Sequence, residues 1–464
     1  MSRVIVLSNR VKMPEHKAEG KTRSAGGLAV ALYDALHQNG GVWLGWNGEV
    51  NETFDLVQDN VFDSEPSGKV TYMTTGFSPE QYRHFYCGFA NNVLWALLHD
   101  RADIIATMSK ADIDQDFAVY QQVNAQFAKQ LQHIAQPDDV IWVHDYHFFG
   151  VADYCRKLGM TQRIGFFLHI PFAPSEVWHA CPHADTLLYQ LAHYDVIGVQ
   201  TQADKRHCLE VMPPFLANIA NQPLINAYPI GVDVATIAEQ ISPKIAAYHR
   251  LNPAEKLPIA TRPIRQIIAV DRVDYSKGIL RRLQAFASFL QAYPEYQGKV
   301  QLVQIACPSR LDLPAYRELY EAVKQQVAQI QQVFATKDWQ PIIYSETVLS
   351  HDKLMGVFVD SEICWVNSLK DGMNLVAKEY VAAQNPADPG VLLLSKYAGA
   401  SEQMTAAVII DPYDEQNLVD SLLMALTMPN AKRQTRYQSL ISGLKVHDLT
   451  AWQTAFRQDL KPPL

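Results

Sequence analysis

A chain of 464 residues with 48% hydrophobic and 19% charged side chains has enough apolar material for two large domains and too much for a disordered segment. Its formal charge of -8, without a basic stripe, argues against a nucleic-acid partner, although local arginines can still oppose an anionic small molecule. No stretch approaches the ~18 apolar residues of a membrane span, the apolar run in SRVIVLSNR is too short for a signal peptide, and Cys87, Cys155, Cys181, Cys208, Cys307 and Cys364 lack CxxC spacing, so no zinc site or disulfide framework is indicated and a reducing cytoplasm is expected.

Short β-rich runs alternate with longer helical patterns. VIVLS, GVWLGW, DDVIWVH, RIGFFLHI and DVIGVQT fall in the first half, and QIIAVD, VQLVQIA, PIIYS, CWVNS, GVLLLS and AVIID in the second. This is the βαβ rhythm of parallel sheets buried on both faces, and it predicts an α/β fold. After YPIGVD, the prolines at 243, 253, 258 and 263 punctuate a polar stretch. The expected domains are therefore 1–233 and 234–446. Trp452, Phe456 and Leu460, spaced i, i+4, i+8 behind Asp448 and Thr450 as N-cap candidates, predict a final helix within 447–464 that ends at Lys461-Pro462-Pro463. There is no internal repeat and no low-complexity tract.

Polar residues follow these strands directly: Arg10, Asp145, His169, Thr201, Arg272, Arg310 and Asp371. Ligands of open α/β sheets lie beyond the carboxyl ends of the strands, so the set is expected to converge on one cleft fed by both halves. In LKDGMNLVAKEYVAAQ, Asp371 and Gly372 sit where a strand feeds a helix, with Glu379 two turns further in. A helix starting at Gly372 would aim unpaired N–H groups at a diphosphate, and Glu379 would accept hydrogen bonds from ribose hydroxyls. The competing readings are an N-cap for Asp371 and an exposed acid for Glu379. In AVDRVDYSKGI, Arg272 and Lys277 lie across a turn ending at Gly278, where both cations can face one anionic leaving group; the alternative is a surface turn with an Asp274 ion pair.

Gly26 and Gly27 precede another helix in SAGGLAVALYDAL and would let a ligand approach the backbone closely. Neither GxGxxG nor GxxxxGK[ST] occurs, which weakens dinucleotide and P-loop readings. His144-Asp145-Tyr146-His147 ends a strand, where alternating side chains disfavour joint metal ligation. Asp145 reads better as a sugar hydroxyl acceptor. His169 is a core histidine or a site residue, and Tyr86 and Trp95 are core aromatics or a wall against a sugar face. Arg10 and Arg310, if they converge, form a phosphate clamp.

VLSNR, SAGGLAVAL, Gly41 to Gly48 in GxWxGWxG form, NNVLW, IWVHDYH, RIGFFLHIPF, YPIGVD, VDRVDYSKG and DGMNLVAKEYVAAQ, in this order, give a chain that resembles the trehalose-6-phosphate synthases, retaining glycosyltransferases, nearly end to end. The resemblance implies the GT-B architecture: two Rossmann-like domains facing across a cleft, with the C-terminal helix crossing back to the first. It implies transfer of glucose from UDP-glucose to glucose 6-phosphate, with no cofactor, no metal and no protein nucleophile. Carried over by position, Arg10, Tyr86, Trp95, Asp145 and Arg310 would bind the acceptor. Gly26, Gly27, Leu349, Gly372, Met373, Asn374, Leu375, Val376, Ala377, Lys378 and Glu379 would bind the donor, and His169, Arg272, Lys277 and Asp371 would act in catalysis. UDP-glucose and glucose 6-phosphate are the implied partners, with a homo-oligomer left open.

The chain departs from the family pattern in places. Lys370 stands where arginine is usual and cannot reproduce a planar bidentate contact. Ala96 replaces a frequent proline, and Leu349 a frequent aromatic near the nucleobase. The stretch from Thr201 to Tyr228 is shortened, and the loop from Lys12 to Arg23 is slightly longer. Rival readings keep the donor but use glycerol 3-phosphate or a cyclitol phosphate as acceptor, or make the chain a nucleotide-sugar epimerase, a hydrolase or a non-catalytic sensor. Tyr86, Trp95 and Asp145 together favour a hexose phosphate, and intact Arg272, Lys277, His169 and Asp371 speak against a sensor.

Overall fold

The computed structural model describes residues 3–11, 36, 40–51, 56–61, 70–217, 219–239, 241 and 264–461. Gly26, Gly27, the start of the helix expected after them, the loop from Lys12 to Arg23 and the four linker prolines lie outside these residues. The chain divides into two units, one running to Pro229 and taking up the chain again from Trp452, the other spanning Ile230–Ala451.

The first unit contains β1 (Val4–Arg10), β2 (Gly41–Val50), β3 (Leu56–Val61), β4 (Val70–Phe77), β5 (Val140–His144), β6 (Arg163–Phe167), β7 (Val196–Val199) and β8 (Leu224–Ala227). They form one sheet in the order β3-β4-β2-β1-β5-β6-β7-β8. All neighbours are parallel except β3 and β4. The order reverses between β1 and β5, so the connections leave those two strands in opposite directions and open a crevice beyond their carboxyl ends. Every residue of VIWVH in β5 is buried, as a strand covered on both faces requires.

The helix Leu449–Leu460 begins where Asp448 Oδ1 accepts a hydrogen bond from the Ala451 N–H at 2.8 Å. Its apolar stripe lies on the first sheet. The Phe456 ring stacks on Trp142 at 4.9 Å, and a Cβ at Gly198 would approach that ring to 2.7 Å, so only glycine leaves the helix its seat. The Arg163 guanidinium donates to the Asp459 and Leu460 carbonyls, placing a cation at the helix C-terminus.

The second unit contains β9 (Arg265–Arg272), β10 (Val300–Cys307), β11 (Ile342–Ser345), β12 (Ile363–Val366), β13 (Val391–Ser395) and β14 (Val408–Ile410), in the order β11-β10-β9-β12-β13-β14. All pairs are parallel. This is the doubly wound order, with its reversal between β9 and β12. Helix Ile279–Ala292 buries Leu283, Phe286 and Phe289 against the sheet at helical spacing. No helix among the described residues is long and apolar enough to cross a membrane.

Three strands, β3, β4 and β8, were not expected from sequence. LVQDNV is polar at its centre, LINA has only four residues, and both lie at sheet edges, where pairing replaces a hydrophobic signature. A second surprise is the 13-residue π-helix Tyr82–Leu94, closed by the Trp95 N–H to the Ala90 carbonyl. Such i→i+5 windings are rare and cluster at functional sites.

Candidate active site

In the first unit the expected residues gather beyond β1, β5 and β6. Arg10 ends β1, exposed, with its guanidinium carbon 5.8 Å from the Trp46 ring centre. Trp46 packs against Tyr86 at 5.1 Å, and Tyr86 stacks on Tyr82 at 5.5 Å and on His147 at 6.2 Å. One aromatic cluster thus joins Arg10 to Tyr86. The π-helix presents Tyr86, and Asn91 fixes the turn: its amide donates to the Tyr86 carbonyl while its oxygen accepts from Tyr146 OH. Trp95 lies deeper, buried, with its ring stacked on His99 and edge-on to Tyr146. That placement matches a core aromatic more closely than an open sugar wall.

Asp145 follows β5 with φ 76° and ψ 166°. This region is almost reserved for glycine, and holding aspartate there costs about 1–3 kcal/mol, a strain found mainly at functional sites. Its carboxylate accepts from the His169 backbone N–H at 3.3 Å. His169 Nε2 lies 3.0 Å from His144 Nδ1. Burial lowers the His169 pKa to about 3 and that of His144 well below its ordinary value, so both imidazoles are neutral. His144 and His147 have different neighbours, His169 for one and Tyr86 for the other. Thr201 is the N-cap of helix Gln202–Val211, accepting from the Asp204 N–H.

In the second unit Arg272 ends β9 at the strand reversal, exposed. Asp274 caps the turn Tyr275–Lys277 by accepting from the Ser276 N–H, and Gly278 leaves the turn at φ 62°, left-handed backbone that favours glycine. Lys277 then reaches across to Asp371, Nζ to Oδ2 at 2.5 Å, both side chains mostly buried. Ser368 Oγ and Asn374 Nδ2 also donate to Asp371 Oδ2, at 3.0 and 3.1 Å. Neither Ser368 nor the role of Asn374 toward Asp371 was visible in sequence.

One expectation is corrected here. The helix after Gly372 is Leu375–Ala382 and its N-cap is Asn374, whose Oδ1 takes the Ala377 N–H; Asp371 is not the cap. Asn374 adopts φ 82°, turning the chain so that Gly372 and Met373 are buried ahead of the helix. Asp274, which the competing reading makes the ion-pair partner of a surface turn, is buried, accepts from Tyr316 OH at 3.0 Å and lies 3.8 Å from Arg310. The Arg310 guanidinium also donates to Tyr316 OH at 2.7 Å. The arginine therefore meets a carboxylate in its own unit.

Within the Leu375–Glu379 run the side chains diverge. Lys378 is wholly buried and donates to the Ile230 carbonyl at 2.6 Å and to Gln403 Oε1 at 2.8 Å, so its ammonium is held by protein acceptors. Burial lowers its pKa to about 7. Glu379 is half-buried and burial raises its carboxyl to about 7. Leu349 lies between β11 and the helix His351–Asp360, at the outer end of the sheet from the β9–β12 reversal. Among the described residues no group of three or more His, Cys, Asp or Glu is arranged to hold a metal ion.

A family model for glycosyltransferase family 20 matches residues 2–462. A trehalose-6-phosphate synthase of Sodalis glossinidius (strain morsitans) is 37% identical over 484 residues, spanning 99% of this chain and 96% of the relative. Among solved structures, an alpha,alpha-trehalose-phosphate synthase (UDP-forming) from Burkholderia vietnamiensis is 41% identical with a TM-score of 0.90, over 99% of this chain and 97% of that one. Another, from Burkholderia xenovorans in complex with glucose-6-phosphate, is 36% identical with a TM-score of 0.88, over 99% and 100%. With matches at this identity and this span, on two Rossmann-like α/β domains of the GT-B type, the chain belongs to glycosyltransferase family 20.

Proposed function

We propose that this glycosyltransferase moves glucose from UDP-glucose to glucose 6-phosphate, releasing UDP and α,α-trehalose 6-phosphate with retention at the anomeric carbon. The observation that carries the reading is the Lys277–Asp371 pair beyond the β9–β12 reversal, where Arg272 ends β9. Two cations offered from that turn suit a departing diphosphate, whose growing negative charge they can meet. Relatives named as UDP-forming supply the nucleotide. Trehalose 6-phosphate contains two glucosyl units, so once glucose 6-phosphate is the acceptor the donor sugar is glucose.

On this reading the acceptor hydroxyl oxygen bonds to the anomeric carbon as the carbon–phosphate oxygen bond breaks, and its proton passes to the leaving diphosphate. Arg272 and Lys277 stabilise that diphosphate, Asp371 holds Lys277 and meets sugar hydroxyls, and Glu379 takes the ribose. Leu375 and Val376 offer backbone N–H groups at the helix start, with Gly372, Met373, Asn374 and Ala377 shaping that turn; Leu349 borders the base. Arg10 and Tyr86 take the acceptor phosphate, with Arg310 as a further cation, and Asp145 borders the acceptor sugar, with Trp95 packed beneath through Tyr146. Six free thiols accord with a reducing, cytoplasmic setting.

Release of UDP from UDP-glucose, followed with and without acceptor, tests the proposal. Glucose 6-phosphate should accelerate release at least tenfold. Faster turnover with glycerol 3-phosphate, or release indifferent to any acceptor, would overturn it.

A further inference from the structure

His144 is a buried histidine to which the proposed reaction gives no part. It is the last residue of β5 and has no accessible surface. Its Nδ1 meets His169 Nε2 at 3.0 Å, and the two rings lie 5.2 Å apart at 26°. Trp142 and Trp452 pack against the His144 ring, and Phe167 and Trp452 against that of His169. The other His144 nitrogen, Nε2, is buried with no hydrogen-bond partner.

A neutral imidazole has one N–H and one bare nitrogen. The Nδ1···Nε2 bond needs one of each, so it couples the two tautomers. A proton on His144 Nδ1 leaves His169 bare at Nε2 and protonated at Nδ1; a proton on His169 Nε2 leaves its Nδ1 bare. His169, unlike His144, keeps accessible surface, and its backbone N–H is held by Asp145. Nδ1 is then the ring nitrogen left to meet a substrate, and what it offers is set by the residue behind it.

We propose that His144 is a positioning residue for glucosyl transfer: through its ring bond to His169 it ties that residue's tautomer to its own and fixes the ring's orientation, so that His169 presents a defined hydrogen-bonding edge to a bound sugar. This rests on the glucosyltransferase reading and adds to it a residue that never touches substrate.

His144→Phe keeps the ring volume and removes the bond, while His144→Asn places an amide near the position of Nδ1 and can restore it. The expected result is a fall in kcat of about tenfold for the Phe variant, as for a lost hydrogen bond, with KM for glucose 6-phosphate nearly unchanged and most of the rate recovered in the Asn variant. Combined with His169→Ala, His144→Phe should have no further effect, since both act through one group. Equal kcat in wild type and His144→Phe, or additive losses in the double variant, would overturn the proposal. If His144→Phe does not fold, nitrogen-15 histidine spectra of the wild-type enzyme decide: the same neutral tautomer in both rings supports the coupling, and unlike tautomers in the two rings refute it. Wild-type enzyme without acceptor-dependent turnover would instead defeat the glucosyltransferase reading, and the spectra would still report on the histidine pair.

Discussion

Burial lifts the Glu379 carboxyl from 4.5 to about 7, so near neutral pH the free enzyme holds it protonated about half the time. Hydroxyl donors favour the carboxylate. The KM for donor should therefore fall as pH rises through about 7, and Glu379→Gln should abolish that dependence in initial-rate measurements. Stability runs the other way. A carboxyl whose folded pKa is raised keeps a proton that the unfolded chain has already lost, so folding is progressively disfavoured as pH climbs from about 4.5 to about 7. Melting curves over that window should show Glu379→Gln gaining on the wild type. Arg272 lies exposed at its strand end, so Arg272→Ala should leave the melting temperature unchanged. Its kcat should drop by about 100- to 1,000-fold, the usual effect of deleting a preplaced donor to developing charge, with KM for acceptor little altered. Arg272 and Asp371 stand out in sequence because each follows a strand-like run, and Lys277 because it lies across a turn from Arg272 that ends at Gly278. Their pairing does not: Lys277 and Asp371 are 94 residues apart, and only the adjacency of β9 and β12 brings them together.

The helix Leu375–Ala382 was legible as a helix but not in its start, because Asn374 in left-handed backbone competes with Asp371 for the cap and wins. Asn374→Gly keeps that backbone while removing the side-chain bonds to Ala377 and Asp371. It should cost the second unit little stability, a few tenths of a kcal/mol as Gly caps do, yet raise donor KM because the Asp371 carboxylate loses a restraint. Urea melts and donor titration separate the two effects. The closing helix was read from Trp452, Phe456 and Leu460, but its seat on Gly198 depends on a residue 258 positions away and left no local trace. Phe456 is wholly buried, and Phe456→Ala should destabilise the first unit by about 3–5 kcal/mol in chemical denaturation. The π-helix Tyr82–Leu94 was illegible because apolar spacing encodes a period near 3.6, whereas this winding is held by Asn91 bonds that exist only in the fold.

At the scale of the whole molecule, two sheets share one plan: parallel strands running outward from β1 and from β9, each reversing where the charged residues lie. Continuous apolar runs made the central strands visible, since strands covered on both faces must be apolar throughout. Edge strands β3 and β8 escaped for the opposite reason. The plan explains why Arg10 and Asp145 in one unit, and Arg272 and Asp371 in the other, come from strand ends that chain order scatters. Departures such as Lys370 leave this plan intact, so Lys370→Arg should change donor KM without changing product; donor titration with product analysis checks it. The most direct test of the account is the structure of the product formed from UDP-glucose and glucose 6-phosphate, resolved by proton and carbon NMR. The account predicts one phosphodisaccharide with two α-anomeric centres joined through one oxygen, formed in step with UDP; a β-linked product, a glucosyl unit on another hydroxyl, or free glucose in place of a disaccharide would contradict it.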